Sequence, residues 1–99
     1  MKKHFFLKLN PSRPSFAQDM STEERGIMQA HVLYWKDLLK KDIALVFGPV
    51  HDPKAVYGIG IIQADNEDMV RTLIANDPAN TINRYEFFPM TAVTLSNQD

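Results

Sequence analysis

One histidine stands on an otherwise apolar face of the longest predicted helix. The helix covers residues 21–41, and His31 is the histidine on its apolar stripe. An imidazole takes or gives a proton at physiological pH, so His31 suits general acid–base chemistry. A buried histidine that binds a carboxylate for stability alone is the alternative, because buried polar groups normally find partners. The residues alone leave both interpretations open.

Other residue types with chemical potential give weaker signals. The chain has no cysteine, which excludes disulfides, thiolate zinc sites and cysteine nucleophiles. His51 and Asp52 are adjacent, so in a strand they would point to opposite faces. Together with His4 they do not form a zinc-binding spacing, and a solvated turn is the better interpretation. We expect no metal site and no cofactor.

Several aromatic and basic side chains are candidates for contacting a small ligand. Tyr57 lies beside the glycine-bearing face of a predicted strand, and Arg13 could hold a substrate carboxylate through two hydrogen bonds. Against this, aromatic residues at helical spacing are more often core, and exposed arginines are more often simply solvated. We assign Trp35 to the core. The remaining aromatic and basic candidates are Tyr34, Tyr85 and Arg84.

Length and composition describe an ordinary globular domain. The 99 residues form a single domain over 1–99, and the net charge of -1 gives no support for binding nucleic acid or an anionic membrane. No stretch approaches the roughly 20 apolar residues of a membrane helix. A signal peptide is not expected either, because Lys8 and Asn10 interrupt the first apolar run. The absence of cysteine is consistent with a cytoplasmic location.

The long helix has independent start and stop signals. Ser21 and Glu24 have the spacing of a capping box, in which each side chain satisfies a free amide at the helix start. Lys40 and Lys41 lie in the last turn, where the helix dipole favours positive charge. The apolar stripe that includes His31 is wide enough to pack against a sheet.

The first half of the chain predicts two strands around this helix. Residues 4–9 alternate as a strand, and residues 10–20 form a proline-containing loop that is either functional or a plain connector. Residues 43–47 are an apolar run typical of a strand buried on both faces, ended by Gly48 and Pro49.

The second half predicts two more strands and another helix. Residues 56–64 form a strand with Gly58 and Gly60 on one face, which leaves room for another element or a ligand to approach closely. Asp65 is expected to cap a helix over residues 66–76, whose buried row is Met69, Val70, Leu73 and Ile74, and Asp77-Pro78 to end it. The last strand region covers residues 84–95, with Pro89 marking a bulge, bend or edge.

The resulting order is βαββαβ, the split βαβ pattern of a ferredoxin-like α+β domain. It places two helices on one face of a four-stranded antiparallel sheet. The strands carry apolar residues toward both faces, so the uncovered face should also be apolar, and such a face is rarely left in water. We therefore predict a homodimer that packs sheet against sheet, with higher oligomers left open.

The sequence resembles the YciI-like (YCII-related) proteins of the dimeric α+β barrel superfamily over nearly its whole length. No single motif is diagnostic, but their order and spacing together are fairly specific. The motifs are His31 followed by Tyr34-Trp35 and Leu38, Gly48-Pro49 after the second strand, the glycine-containing third strand, the helix from Asn66, Asn76-Asp77-Pro78 and the strand leading to Pro89. The chain departs from many relatives at Met28 and Gln29, where an arginine or another polar residue precedes the histidine.

The resemblance implies a function. In that family a histidine of the first helix and the aspartate of the Asp-Pro pair are the candidate catalytic dyad, and the matching positions are His31 and Asp77. The dyad suits cofactor-free lyase or isomerase chemistry on a small cyclic or carboxylated molecule. Tyr34, Tyr57, Gly48 and Arg13 are the candidate substrate-binding residues. The alternative is a non-catalytic module of the same fold that binds a small ligand.

Overall fold

A computed structural model describes residues 2–95, which form one antiparallel sheet with helices on one face. The strands have the order β2-β3-β1-β4, which is the predicted ferredoxin-like arrangement. Within residues 2–95, no helix combines the length and apolar character that a membrane crossing requires. The elements in chain order are β1 (Lys3–Asn10), α1 (Phe16–Asp19), α2 (Thr22–Lys40), β2 (Ala44–Val50), β3 (Tyr57–Ala64), α3 (Glu67–Asn76), a 3₁₀ helix (Pro78–Thr81) and β4 (Arg84–Met90).

Helix α2 begins at the predicted capping box. The Ser21 hydroxyl accepts from the amide of Glu24 at 3.1 Å, and the Ser21 amide donates to the Glu24 carboxylate at 2.8 Å. The helix ends at Lys40, and the amide of Lys41 still bonds to the carbonyl of Asp37. Its start is therefore fixed by local chemistry, and this sets the face on which His31 lies.

Of the two glycines of β3, Gly60 is the one that allows a neighbouring element to approach the sheet unusually closely. A Cβ atom at Gly60 would lie 2.4 Å from Cη2 of Trp35, well inside contact distance. At Gly58 a Cβ would lie 3.4 Å from Cβ of Leu9, which is ordinary contact. The predicted close approach is confirmed, and at Gly60 it is made by the indole ring of α2.

The two faces of the sheet differ in what covers them. The covered face holds the core, which the helices complete. Its buried strand residues are Phe5, Leu7, Leu9, Ala44, Ile62 and Ala64, and its buried helix residues are Trp35, Leu38, Val70 and Leu73. On the other face Val46, Ile61, Phe6 and Phe88 stand directly opposite one another, one from each strand. This apolar row crosses the whole sheet.

Strand β2 differs from its prediction. It continues through Gly48 and Pro49 instead of ending there, and it lies at the sheet edge instead of being buried on both faces. Leu45 and Val46 are exposed. An edge strand tolerates proline because one side of its backbone has no neighbouring strand.

Smaller differences occur at element boundaries. Residues 10–20 include the one-turn helix α1, which the two prolines had obscured. Helix α3 is capped by Asn66 and not by Asp65, since Asn66 Oδ1 accepts from the amide of Met69 at 3.0 Å. Met69 itself is exposed instead of buried. Strand β4 stops at Met90 instead of continuing to residue 95, and it lies at a sheet edge, which is one of the three possibilities predicted for Pro89.

Candidate functional site

Helix α2 and the turn after α3 bring His31 and Asp77 together. Nδ1 of His31 lies 3.0 Å from Oδ1 and 2.9 Å from Oδ2 of Asp77, although the residues are 46 positions apart in the sequence. The imidazole is 12% exposed and the carboxylate 0%. The pair therefore spans the boundary of the interior, with the carboxylate inside and the imidazole at the surface of a cavity.

The position of Asp77 follows from the way α3 ends. Pro78 disfavours helical geometry in the residue before it, and Asp77 is extended, with φ -77° and ψ 124°. Its Oδ1 accepts from the amide of Ala79 at 2.9 Å and so caps the 3₁₀ helix. One short turn thus points the carboxylate toward α2.

Two aromatic side chains also donate to the Asp77 carboxylate. Nε1 of Trp35 lies 2.9 Å from Oδ2, and the Tyr85 hydroxyl donates to the same oxygen. Trp35 lies one helical turn after His31, so both belong to one face of α2. Tyr85 comes from β4. The carboxylate is thereby tied to α2, to the 3₁₀ helix and to the last strand.

These hydrogen bonds decide the charge of Asp77. Burial alone raises the pKa of its carboxyl, but hydrogen bonds from His31, Tyr85 and the Ala79 amide outweigh it and hold the pKa below its ordinary value. Burial, followed by the hydrogen bond to Asp77, raises the pKa of Tyr85, so the phenol keeps its proton. Asp77 is therefore an ionised acceptor in a dry environment.

An ionised carboxylate fixes the tautomer of the histidine. Because it only accepts hydrogen bonds, the neutral imidazole must carry its proton on Nδ1. Nε2 on the opposite edge of the ring then keeps its lone pair and can act as a base. When Nε2 takes a proton, the carboxylate stabilises the imidazolium.

A cavity of about 240 Å³ borders this pair. His31, Trp35 and Tyr85 contribute to its wall, and Asp77 lies behind them. The rest of the wall is predominantly apolar. It is completed by Leu9, Pro11, Phe16, Ala17, Met20, Met28, Val32, Phe47, Gly48, Pro49, Val56, Tyr57, Gly58, Ile59 and Asn83.

Residues 11–20, here called the strap, form one side of the cavity. Phe16 is buried and points its ring into the wall. Arg13 fastens the strap to α2, with Nη1 and Nη2 at 3.0 and 2.9 Å from the two carboxylate oxygens of Glu24. Arg13 also bonds Asp19 within the strap at 2.8 Å. The hydrogen bond from Arg13 lowers the pKa of Glu24 to about 2.

The structure brings only some of the predicted substrate-binding residues to the cavity. Tyr57 and Gly48 line it. Tyr34 lies elsewhere, where its hydroxyl donates to the Leu73 carbonyl at 2.7 Å, and burial, followed by the charge of Asp77, raises its pKa to about 12. Arg13 is engaged in the ion pairs of the strap. An arginine already paired with two carboxylates is poorly suited to hold a third.

Sequence reasoning missed two features of this wall. Trp35 was assigned to the core, and it is buried, but its Nε1 donates to Asp77. Asn83 was not singled out. It lines the cavity, its amide nitrogen lies 3.4 Å from the Met28 sulfur, and its Oδ1 is buried with no hydrogen-bond partner in the part of the chain that the structure describes. Only the spatial neighbours of these residues reveal their roles.

The residues considered for a metal lie apart from the cavity. Asp52 accepts from the amide of Lys54 at 2.9 Å within a turn, and His51 is exposed. Across residues 2–95, no three histidine, aspartate or glutamate side chains are grouped as metal ligands. His31 and Asp77 are therefore the histidine–carboxylate pair beside this cavity.

Comparisons with known proteins agree with this fold. The family model for the YCII-related domain matches residues 5–92. A comparison with curated proteins gives no significant match. Among solved structures, 5-chloro-2-hydroxyhydroquinone dehydrochlorinase from Burkholderia phenoliruptrix, in complex with 2,5-dihydroxybenzoquinone, is similar, with a TM-score of 0.59 and 21% identity over 96% of this chain and 99% of that one. The uncharacterised protein TM1266 from Thermotoga maritima has a TM-score of 0.58 and 11% identity over 92% and 100% of the two chains.

Proposed function

Because the chain belongs to the YCII-related domain family, we propose that it is a small-molecule enzyme whose acid–base chemistry runs through His31 and Asp77. One observation carries the proposal: the imidazole is bonded to a sealed carboxylate at 2.9 Å and forms part of a cavity wall. A histidine that served packing alone would not need to face a cavity. The likeness to a dehydrochlorinase supports an enzymatic role.

The proposed chemistry needs a base, an orienting anion and a dry pocket. Nε2 of His31 takes a proton from the substrate, and Asp77 stabilises the imidazolium that results. The electron pair of the bond that the proton leaves then forms a new double bond in the substrate. In an elimination, the leaving group departs with its bonding electrons. In an isomerisation, the imidazolium returns the proton to a different atom. Neither the elimination nor the isomerisation requires an oxidant or a reductant.

The cavity favours a substituted single ring over a carboxylated chain. An apolar cavity of roughly 150 Å³ holds benzene, so a volume of about 240 Å³ accommodates one ring with a few substituents. Among the described wall residues there is no lysine or arginine to pair with a carboxylate. We therefore favour a hydroxylated or quinonoid ring, the kind of molecule bound by the dehydrochlorinase.

The second candidate is a ligand-binding module without turnover. It is favoured by the complete burial of Asp77 and by the four donors that its carboxylate accepts from His31, Trp35, Ala79 and Tyr85. A carboxylate that only stabilises the fold would be satisfied in the same way. Only turnover separates this candidate from the enzyme.

The test compares His31→Gln with His51→Gln. His51 is exposed in the connection between β2 and β3 and does not line the cavity, so the control removes an imidazole that is not part of the wall. Both variants and the unaltered protein are titrated with 2,5-dihydroxybenzoquinone and assayed with chlorinated and unchlorinated hydroxyquinols, following chloride release and ring absorbance.

We expect turnover by the unaltered protein and by His51→Gln, with a loss of about 100-fold or more in His31→Gln, since a general base contributes 10²–10⁴. Binding of the quinone without turnover by any of the three proteins would support the ligand-binding module instead. Equal turnover by His31→Gln would contradict the acid–base role.

We also propose that two copies pack through their uncovered sheet faces. The support is the apolar row Val46, Ile61, Phe6 and Phe88 across all four strands, whose end members Val46 and Phe88 are 49% and 52% exposed. A twofold axis would place this row against its own copy. Phe88→Glu is expected to give a monomer in light scattering, with Leu33→Glu on the helical side as the control. The cytoplasmic location stays a prediction.

A further inference from the structure

We infer that Tyr85 is a positioning residue, whose hydroxyl works with Nε1 of Trp35 to hold the Asp77 carboxylate against Nδ1 of His31. Apart from His31, Tyr85 and Trp35 are the two described residues that both donate to Asp77 and contribute to the cavity wall. The inference rests on the proposed function for its catalytic meaning. The placement itself can be tested without any substrate.

The geometry of the carboxylate shows why positioning is needed. Both oxygens of Asp77 lie at similar distances from Nδ1, 3.0 and 2.9 Å, so the carboxylate presents its full width to the imidazole. Rotation about its last side-chain bond would lose this arrangement. The Ala79 amide holds Oδ1, and Trp35 and Tyr85 hold Oδ2. Donors on both oxygens fix the plane of the group.

The chemical nature of these donors matters as well. Apart from His31, the described donors to Asp77 are an amide, an indole and a phenol, all uncharged. A lysine or arginine at the same place would neutralise the carboxylate. Uncharged donors keep its position and leave its negative charge for the imidazolium that forms during proton transfer.

Tyr85, like Trp35, connects the buried network to the cavity. Tyr85 lines the cavity wall, and its hydroxyl donates to Asp77 and accepts from Trp35 at 3.1 Å. A ligand in the cavity would therefore contact the same side chain that orients the Asp77 carboxylate. Tyr85 therefore links the cavity wall directly to the dyad.

The test is Tyr85→Phe, which removes one hydroxyl and keeps the ring. The imidazole of His31 is followed in ¹H–¹⁵N spectra, which separate the Nδ1–H and Nε2–H tautomers. Tyr34→Phe is the matched control, because it removes a hydroxyl that donates to a main-chain carbonyl. Trp35→Phe removes the other side-chain donor to Oδ2 and serves as the second variant should Tyr85→Phe fail to fold.

We expect the unaltered protein and Tyr34→Phe to show the Nδ1–H tautomer with a slowly exchanging proton. In Tyr85→Phe or Trp35→Phe that proton should exchange at least tenfold faster, and the Nε2–H tautomer should appear. An unchanged His31 spectrum in the variants would overturn the inference. An Nδ1–H signal of His31 that stays sharp and moves downfield in the variants would also overturn the inference. It would mean that other contacts hold the carboxylate and that the hydroxyl only withdraws charge from it.

Turnover provides the second readout. Tyr85→Phe should lower kcat about tenfold with little change in KM, as expected for a displaced catalytic group. The two proposals fail in different ways. If His31→Gln keeps full turnover, the acid–base function is wrong, and the tautomer measurement still decides whether Tyr85 positions Asp77.

Discussion

Asp77 and Arg13 each stand at the centre of a hydrogen-bond network beside the same cavity, but in opposite surroundings. The carboxylate of Asp77 is fully buried and, apart from His31, is bonded by uncharged donors. The side chain of Arg13 is 36% exposed, and its guanidinium is bonded by the carboxylates of Asp19 and Glu24. One side of the cavity is therefore held by a dry network and the other by ion pairs in contact with water.

The difference predicts which side can move. A buried polar network is costly to break because its groups lose their partners without gaining water. Exposed ion pairs contribute little, since water and salt compete for the same charges. The dyad side should behave as the fixed half of the site and the strap as the adjustable half. The following predictions test this contrast, beginning with the largest effect.

Asp77→Ala should destabilise the protein most. It leaves Nε1 of Trp35, the Tyr85 hydroxyl and the Ala79 amide without their acceptor in the interior. We expect a loss of roughly 3–5 kcal/mol in the free energy of unfolding, typical of breaking a buried polar network. Denaturant unfolding measures it. A loss below about 1 kcal/mol would show that water replaces the carboxylate.

Gly60→Ala tests how tightly α2 sits on the sheet. The added Cβ would lie 2.4 Å from Cη2 of Trp35, so the indole that donates to Asp77 must shift. Overpacking of this kind costs about 1–3 kcal/mol. Gly48→Ala is the control, because nothing lies within 4 Å of its added Cβ. Equal stability of the two variants would mean that α2 can move away from β3 without loss of stability.

Acid should weaken the dyad side through Asp77. Its pKa in the folded protein is below the ordinary value of 3.8, so its contribution is complete above that pH and is lost as the pH falls through the folded pKa. The free energy of unfolding should therefore decline below pH 4 more steeply in the unaltered protein than in Asp77→Asn. Parallel declines would contradict an ionised Asp77. Comparing the two proteins removes the contribution of Glu24.

Arg13→Gln should have the smallest effect on stability. Its ion pairs with Asp19 and Glu24 lie at the surface, where water and salt compete for the same charges. Since the strap lines the cavity, the rates of quinone binding and release should both rise, and added salt should raise them in the unaltered protein. Arg71→Gln removes the exposed ion pairs of α3 with Glu67 and Asp68 and serves as the control. Identical rates in both variants would show that the strap does not limit access.

Local features of the fold could be predicted from the sequence because each depends on near neighbours. Ser21 and Glu24 are three positions apart, and their capping box forms as predicted. The alternation predicted β1 and β3 as strands, and both form. Gly48 and Pro49 were misleading, because a strand at a sheet edge accepts residues that would end a central strand.

The site was less accessible from sequence. The helical stripe identified His31, but nothing in the spacing relates it to a residue 46 positions away, and Asp77 was assigned through the family resemblance. Trp35 looked like core because a tryptophan on a helical stripe usually is core. Its second role appears only once Asp77 is placed beside it. Arg13 was expected to bind substrate, and its partners Asp19 and Glu24 could be known only from the path of the strap.

The sheet order also sets when the site can exist during synthesis. Strand β1 emerges from the ribosome first and must wait for β4, which emerges last, before the two can pair. Tyr85 reaches Asp77 only from β4. A nascent chain that already contains His31 and Asp77 therefore still lacks the hydroxyl of Tyr85 that donates to Asp77. The hydrogen-bond network around Asp77 is therefore complete only when the final strand pairs with the first.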